Sequence, residues 1–166
     1  MTPISFTVLG LAAPAGSKTA YAPKHRDGSP VLRPNGSVMV TVADANKKAA
    51  LWKREVAEAA RQAYDGELLD YPLSLSLTFY RPRPKSHFGA RGVRPSATLW
   101  PTTKPDVLKL ARAVEDALTG IIWRDDAQIV HEVLVKHWGE PARVCVLIAH
   151  ATAVQQGIVY METDCD

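Results

Sequence analysis

The sequence predicts a single α+β domain in which a mixed β-sheet packs against two main helices. A chain of 166 residues suits one hydrophobic core. Apolar residues make up 46% of the chain and charged residues 22%, as in an ordinary globular protein. Runs with a period of two residues alternate along the chain with runs of helical periodicity, which is the pattern of a mixed fold.

The first part of the chain predicts two strands, a loop and a helix. Residues 4 to 8 alternate apolar and polar side chains, as a half-buried strand does. Residues 11 to 37 are rich in Ala, Pro, Gly and Lys and predict a loop, and residues 38 to 42 predict a short strand. A helix follows from about residue 44 to residue 64, because Trp52, Val56 and Ala60 share one face.

The middle of the chain contains the clearest strand and a long basic segment. Leucines and phenylalanine alternate with polar residues from residue 73 to residue 80. Residues 81 to 105 then contain five prolines, which exclude a regular element there. A second helix is predicted from Asp106 or Val107 to Leu118, with Asp106 as a cap and Gly120 as the stop.

The last part predicts two strands, at residues 127 to 137 and 142 to 149, joined by a turn. Residues 151 to 166 show no firm pattern. We therefore expect one domain over residues 1 to 150, followed by a C-terminal tail over residues 151 to 166.

Composition excludes several classes of protein. The five histidines and two cysteines have no zinc-ligand spacing. No apolar run approaches the roughly 20 residues that span a bilayer, and the N-terminus lacks the pattern of a secretion signal. We expect a cytoplasmic protein without membrane contact.

Charge is distributed unevenly although the net charge is only +3. Basic residues gather in residues 18–33, 47–54 and 81–94, whereas acidic residues gather between Asp106 and Asp126. A compact acidic cluster in basic surroundings suits a protein that grips phosphates and holds a divalent metal. The alternative is ordinary solvated surface charge.

The second helix and the acids after it are the candidate active site. Asp106 begins the helix, and Asp125 and Asp126 precede the next strand, so a strand running back beside the helix is expected to bring Asp126 near Asp106. Converging carboxylates are what Mg²⁺ requires, and Arg112 offers a nearby cation. The alternative is that these acids only cap the helix and the turn.

Two blocks of this region resemble a known family. The run from Lys104-Pro105-Asp106 to Gly120, followed by Trp123-Arg124-Asp125-Asp126-Ala127-Gln128, is similar to the signature of the RusA family of Holliday-junction resolvases. The resemblance implies a RusA-like homodimer that binds a four-way DNA junction and nicks two strands symmetrically. It also implies Mg²⁺ as the cofactor, for which Mn²⁺ can substitute.

The resemblance also assigns roles to individual residues. Asp106 matches the first catalytic aspartate of the family, Asp126 matches the last, and Arg112 stands where the family has a catalytic lysine. Leu108 replaces the middle aspartate and cannot bind a metal. We expect Glu115 to replace it, because Glu115 lies two helical turns farther along nearly the same line, about 10 Å away. Asp116 is the second choice, and Asp125 is a further candidate ligand.

DNA contacts are expected from the basic segments, where phosphate contacts add affinity without reading sequence. Trp100 is a further candidate contact in the proline-rich segment. The candidate DNA-binding residues are Lys18, Lys24, Arg26, Arg81, Arg83, Lys85, Arg91, Lys104 and Lys109.

The sequence as a whole predicts a Mg²⁺-dependent, structure-selective endonuclease that resolves four-way junctions in recombination or repair. Two alternatives stay open. In the first, the protein binds junctions but is impaired in catalysis, because Leu108 replaces an acid. In the second, the protein is a nuclease for another kind of branched DNA.

Overall fold

The structure, a computed structural model, describes residues 2–16, 18–44 and 47–155. Its centre is a four-stranded sheet with the order β1-β8-β4-β7, in which β1 is Ile4–Leu9, β4 is Leu73–Arg81, β7 is Ile129–Trp138 and β8 is Arg143–His150. β4 and β7 are parallel, and the other neighbours are antiparallel. The predicted mixed sheet is confirmed.

Two helices cover one face of this sheet. Helix α1 is Lys47–Ala63 and helix α2 is Val107–Leu118; they contact each other, and α1 also contacts β1 while α2 contacts β7. The core forms between them and the sheet because alternate β4 residues, from Leu73 to Phe79, are fully buried. Every second side chain of the strand is apolar and faces the helices, and the apolar faces of the helices pack against these side chains.

Smaller elements complete the fold. Strands β2, Lys18–Tyr21, and β3, Thr41–Asp44, form a separate antiparallel pair. The basic segment contains one short 3₁₀ turn, Lys85–His87, and a two-residue hairpin of β5, Phe88–Gly89, and β6, Gly92–Val93. A second 3₁₀ turn, Asp126–Gln128, precedes β7, and helix α3, Ala151–Gln155, follows β8.

Four predictions need correction. The strand placed at residues 38 to 42 is β3, at residues 41 to 44, and Val38 makes only an isolated bridge with Leu32. The basic segment is not wholly irregular, because its glycines permit the small β5–β6 hairpin. The tail begins with a third helix that packs on β8, and the rest of it, residues 156–166, lies outside the described residues. Asp106 occupies the cap position of α2, but its side chain makes no capping hydrogen bond.

The domain boundary at residue 150 stays a prediction. Over the described ranges, none of the helices has both the length and the apolar character needed to cross a bilayer.

Candidate active site

Helix α2 connects the parallel strands β4 and β7, and this topology organises the site. A helix in such a connection runs antiparallel to both strands. Its first residues therefore lie at the C-terminal ends of the strands, which we call the upper end, around Arg81, Asp106 and Lys136. Its last residues lie where the strands begin, which we call the lower end, around Glu115, Asp126 and Glu132.

Carboxyl groups gather at the lower end. Glu115 is partly buried between α2 and β7, and its carboxyl shares a hydrogen bond with that of Glu132. Burial, this hydrogen bond and the negative charges of Glu132, Asp126 and Asp116, in that order, raise the pKa of Glu115 to about 8. A carboxyl that holds a proton near neutral pH among other acids is a place where a cation can bind instead.

Asp126 enters this cluster because its neighbours fix the 3₁₀ turn. Asp125 Oδ1 accepts a hydrogen bond from the Ala127 amide at 2.9 Å, and Gln128 Oε1 accepts from the Asp125 amide at 3.0 Å. These two side chains form a capping box, and Gln128 Nε2 also donates to the Leu69 carbonyl at 2.9 Å. Asp125 therefore acts as the cap, while Asp126 faces a cleft of about 330 Å³ that it shares with Glu115 and Glu132.

Asp116, the other candidate ligand in α2, points to a different neighbour. Lys53 Nζ of α1 donates to Asp116 Oδ2 at 2.8 Å. This ion pair links the two helices across a larger groove of about 1150 Å³ that also contains several α1 side chains of both charges. The smaller cleft is the better candidate site, because Glu115, Asp126 and Glu132 line it without a lysine or arginine, whereas Lys53, Arg54 and Arg61 also line the larger groove.

Cations hold the upper end. Lys136 Nζ donates to the Thr103 carbonyl at 3.2 Å and to the Pro105 carbonyl at 3.1 Å, and Arg81 donates to the Lys104 carbonyl at 3.2 Å. Three consecutive carbonyls that lead into α2 are thus bound by two adjacent strands. We call this arrangement the carbonyl clamp.

The clamp also surrounds Asp106 with positive charge. Burial and the charge of Arg81 lower the pKa of Lys136, while the negative charge of Asp106 acts in the opposite direction. Lys109 Nζ lies 3.6 Å from Asp106 Oδ2 on the exposed first turn of the helix. Asp106 therefore sits among cations, whereas Glu115 sits among anions.

The structure places Asp106 and Asp126 near opposite ends of α2 and does not bring them together within the chain. Asp106 and Glu115 are nine residues apart in α2, which corresponds to about 13 Å along the axis. Glu132 and Lys136 are four residues apart in β7, again about 13 Å. A Mg²⁺ ion holds its ligands at about 2.1 Å, so these two ends cannot share one ion in a single chain. The residues that the structure describes contain no ready-made group of three or more His, Cys, Asp or Glu around one point.

Between the two ends, the exposed face of α2 carries Leu108 and Arg112. Leu108, where the resemblance implied an aspartate, is 68% exposed. Arg112 is also exposed and lies one helical turn before Glu115. An exposed leucine makes little packing contribution, so its position is open to a polar replacement.

The candidate DNA-binding residues fall into two groups. Arg81 and Arg83 are partly buried and bind loop carbonyls, Arg83 at Thr98, so they support the basic segment from within. The exposed cations are Lys24, Arg26, Lys85, Arg91, Lys104 and Lys109. Lys18 begins β2, and its side chain lies outside the described residues.

Sequence reasoning missed two residues of the site, Glu132 and Lys136. Both lie on β7, two residues before and two residues after Leu134, which packs against the core. Because alternate residues of a strand share a face, all three side chains face the helices. The alternation of the strand was visible in the sequence. Their pairing with the two ends of α2 depends on strand direction and register, which the pattern does not give.

Comparisons with known proteins show the family to which the chain belongs. The model of the family described as Endodeoxyribonuclease RusA matches residues 27–149. The chain is 36% identical over 134 residues to the uncharacterized protein YqaN of Bacillus subtilis (strain 168), covering 76% of this chain and 94% of that protein. The matched region contains both ends of α2 and, of the main sheet, strands β4 and β7 and all but the last residue of β8. The chain therefore belongs to the RusA family of endodeoxyribonucleases.

Proposed function

We propose that this protein is a Mg²⁺-dependent endonuclease that resolves four-way DNA junctions by paired symmetric nicks. The observation that carries the proposal is the match to the RusA family over the residues that build the two ends of α2. The basic segments and the acidic cleft agree with it, because such a nuclease must hold phosphates and place a cation beside one of them.

The carboxyl cluster at the lower end fits a divalent cation by its chemistry. Glu115, Asp126 and Glu132 offer the hard oxygen atoms that Mg²⁺ prefers. The proton that Glu115 holds near neutral pH marks a position where positive charge is favourable. When bound, Mg²⁺ would supply charge stabilisation at the scissile phosphate and favour ionisation of an attacking water.

A homodimer supports a complete site. The upper end contributes Asp106 and the lower end contributes Asp126, yet about 13 Å of helix separates these ends in one protomer. Strand β7 is an outer strand of the sheet, so a partner can approach along it. A two-fold axis that places two α2–β7 edges antiparallel brings the upper end of one protomer beside the lower end of its partner.

Glu115 takes the place of the missing acid in this proposal. Its own burial and the negative charges around it make its carboxylate costly without a cation. Arg112, one turn away on the exposed face, is placed to face a phosphate that approaches the cleft, where its charge offsets charge building up in the reaction. Lys85, Arg91, Lys104 and Lys109 contact the DNA backbone.

The experiment is a cleavage assay on a synthetic mobile four-way junction, a replication fork and a linear duplex of matched sequence. We expect Mg²⁺ to support symmetric nicking of the junction with ends that a ligase can seal. Asp126→Asn is expected to remove nicking and retain binding. Glu58→Gln, an exposed change on α1, is the matched control and should cleave normally.

Junction binding without cleavage is the alternative that Leu108 leaves open, and the match to a family of endodeoxyribonucleases does not favour it. The same assay separates the two. A protein that binds the junction tightly but cleaves no substrate with Mg²⁺ or Mn²⁺ is a binding protein, and equal cleavage of junction and duplex would contradict structure selectivity.

A further inference from the structure

The basic segment contains an aromatic column that the proposed chemistry does not use. The Trp100 ring lies 4.8 Å from the His137 ring, and the His137 ring lies 5.6 Å from the Tyr80 ring. The guanidinium of Arg143 lies 3.8 Å from the Tyr80 ring centroid. Four side chains from β4, β7, β8 and the basic segment are thus stacked in one series.

Trp100 is the exposed end of this column. Its side chain is 49% exposed although one of its faces packs on His137. Across the described ranges, the indole has no second aromatic ring or cation against it. A large apolar ring that packs on His137, itself packed on Tyr80, and is open on its outer side is a preformed stacking surface.

The charge around this surface points to a nucleic acid. Residues 82 to 105 contain no aspartate or glutamate, whereas they contain Arg83, Lys85, Arg91, Arg94 and Lys104. A cationic segment with an exposed aromatic ring is the arrangement that binds single-stranded or unstacked bases, since every base has a face to stack. Protein partners of such a segment would instead need acidic surfaces.

The position of the column links it to the proposed site. Tyr80 and His137 stand one residue from the C-terminal ends of β4 and β7, at the upper end of the sheet. Trp100 precedes Asp106 by six residues, in the segment whose last carbonyls are held by the carbonyl clamp. A base stacked on Trp100 would therefore lie at the same end of the molecule as Asp106.

We propose that Trp100 is a stacking platform for an unstacked base at the branch point of the DNA substrate. This inference rests on the proposed function and deepens it, because it names the feature of a junction that a duplex lacks. The cations of residues 82 to 105 hold the backbone of the same strand. Phosphate contacts of this kind give affinity for any DNA, while the ring gives preference for branched DNA.

The test measures binding in EDTA, where no cleavage occurs, to a four-way junction and to a duplex of the same sequence. One junction strand carries 2-aminopurine beside the branch point, whose fluorescence falls when it stacks on an indole. We expect Trp100→Leu to weaken junction binding about tenfold, to leave duplex binding within about twofold, and to abolish the fluorescence change. Trp100→Phe should retain most of the preference.

Phe88→Leu is the matched control, because Phe88 is 43% exposed in the same segment and stands outside the column. It should bind like the wild type, and thermal melts should show that all variants fold. Unchanged junction preference and fluorescence in Trp100→Leu would overturn the stacking proposal alone. A wild-type protein without any preference for the junction would overturn the proposed function as well.

Discussion

The two ends of α2 balance the charge of an acidic side chain in opposite ways. At the upper end, Asp106 lies among cations, and Lys136 and Arg81 bind the backbone that precedes it. At the lower end, Glu115 lies among other acids and keeps a proton instead. An acid that is neutralised by the protein's own cations is stable as it stands, whereas an acid neutralised by a proton is ready to exchange that proton for a metal.

The largest expected effect concerns the lower end. Glu115→Gln keeps the size and the hydrogen bond to Glu132 but removes the negative charge that a cation needs. We expect Mg²⁺-dependent junction cleavage to fall on the order of 100-fold, measured as the single-turnover rate. Junction binding in EDTA should not change. Undiminished cleavage would show that Glu115 has no catalytic role.

Loss of the carbonyl clamp at the upper end should slow cleavage less than Glu115→Gln does. Lys136→Met leaves two carbonyls without their donor, and Asp106 is then held less firmly. We expect about tenfold slower cleavage and about 1–2 kcal/mol lower stability in a urea titration. Lys136→Arg should recover most of both. Normal cleavage by a destabilised Lys136→Met would mean that the clamp serves folding only.

The pH dependence of stability should separate the two ends. Because the folded pKa of Glu115 is raised from 4.5 to about 8, the folded state binds a proton that the unfolded state releases between these values. The free energy of unfolding should therefore fall as pH rises through this window. We expect a loss of about 1–2 kcal/mol between pH 5 and pH 8, after allowing for partial solvent screening.

Urea titrations at both pH values in metal-free buffer check this. Glu115→Gln should flatten the pH dependence, whereas Glu58→Gln should retain it. A rise in wild-type stability from pH 5 to pH 8 that Glu115→Gln leaves unchanged would contradict a raised pKa.

The smallest effect is expected between the two ends. Leu108→Asp introduces the acid that the resemblance implied at this position, on a side chain that is 68% exposed. Stability should change by about 0.5 kcal/mol or less, and the Mg²⁺ concentration for half-maximal cleavage should fall about threefold. An unchanged Mg²⁺ dependence of cleavage in this variant would mean that position 108 lies outside the active site.

The elements around these two ends could be predicted from the sequence better than the contacts between them. The alternation of β4 and the apolar arc of α2 placed both elements within one or two residues, because local periodicity reports burial directly. Family motifs then indicated Asp106 and Asp126 as candidates, and helical spacing from Leu108 added Glu115. Glu132 and Lys136 were missed, because the role of a charged residue on a strand depends on the side chains that it faces in the fold.

The sequence predicted that Asp106 and Asp126 lie close together in one chain, and this prediction is wrong. The start of a helix and the start of the strand that returns beside it lie at opposite ends of that helix. Sequence spacing suggested proximity, whereas the parallel pairing of β4 and β7 separates the two acids. Topology, and not residue type, decides which carboxylates a single ion can reach.

We propose that Asp106 of one protomer and Asp126 of its partner would hold the same ion. Mixing Asp106→Asn protein with Asp126→Asn protein, after subunit exchange, tests it most directly. Each variant alone should be inactive, while a mixed dimer has one site with both acids intact and should nick one strand of the junction with Mg²⁺. A mixture as inactive as its parents, although mixed dimers are present, would show that the two acids do not share an ion across the dimer.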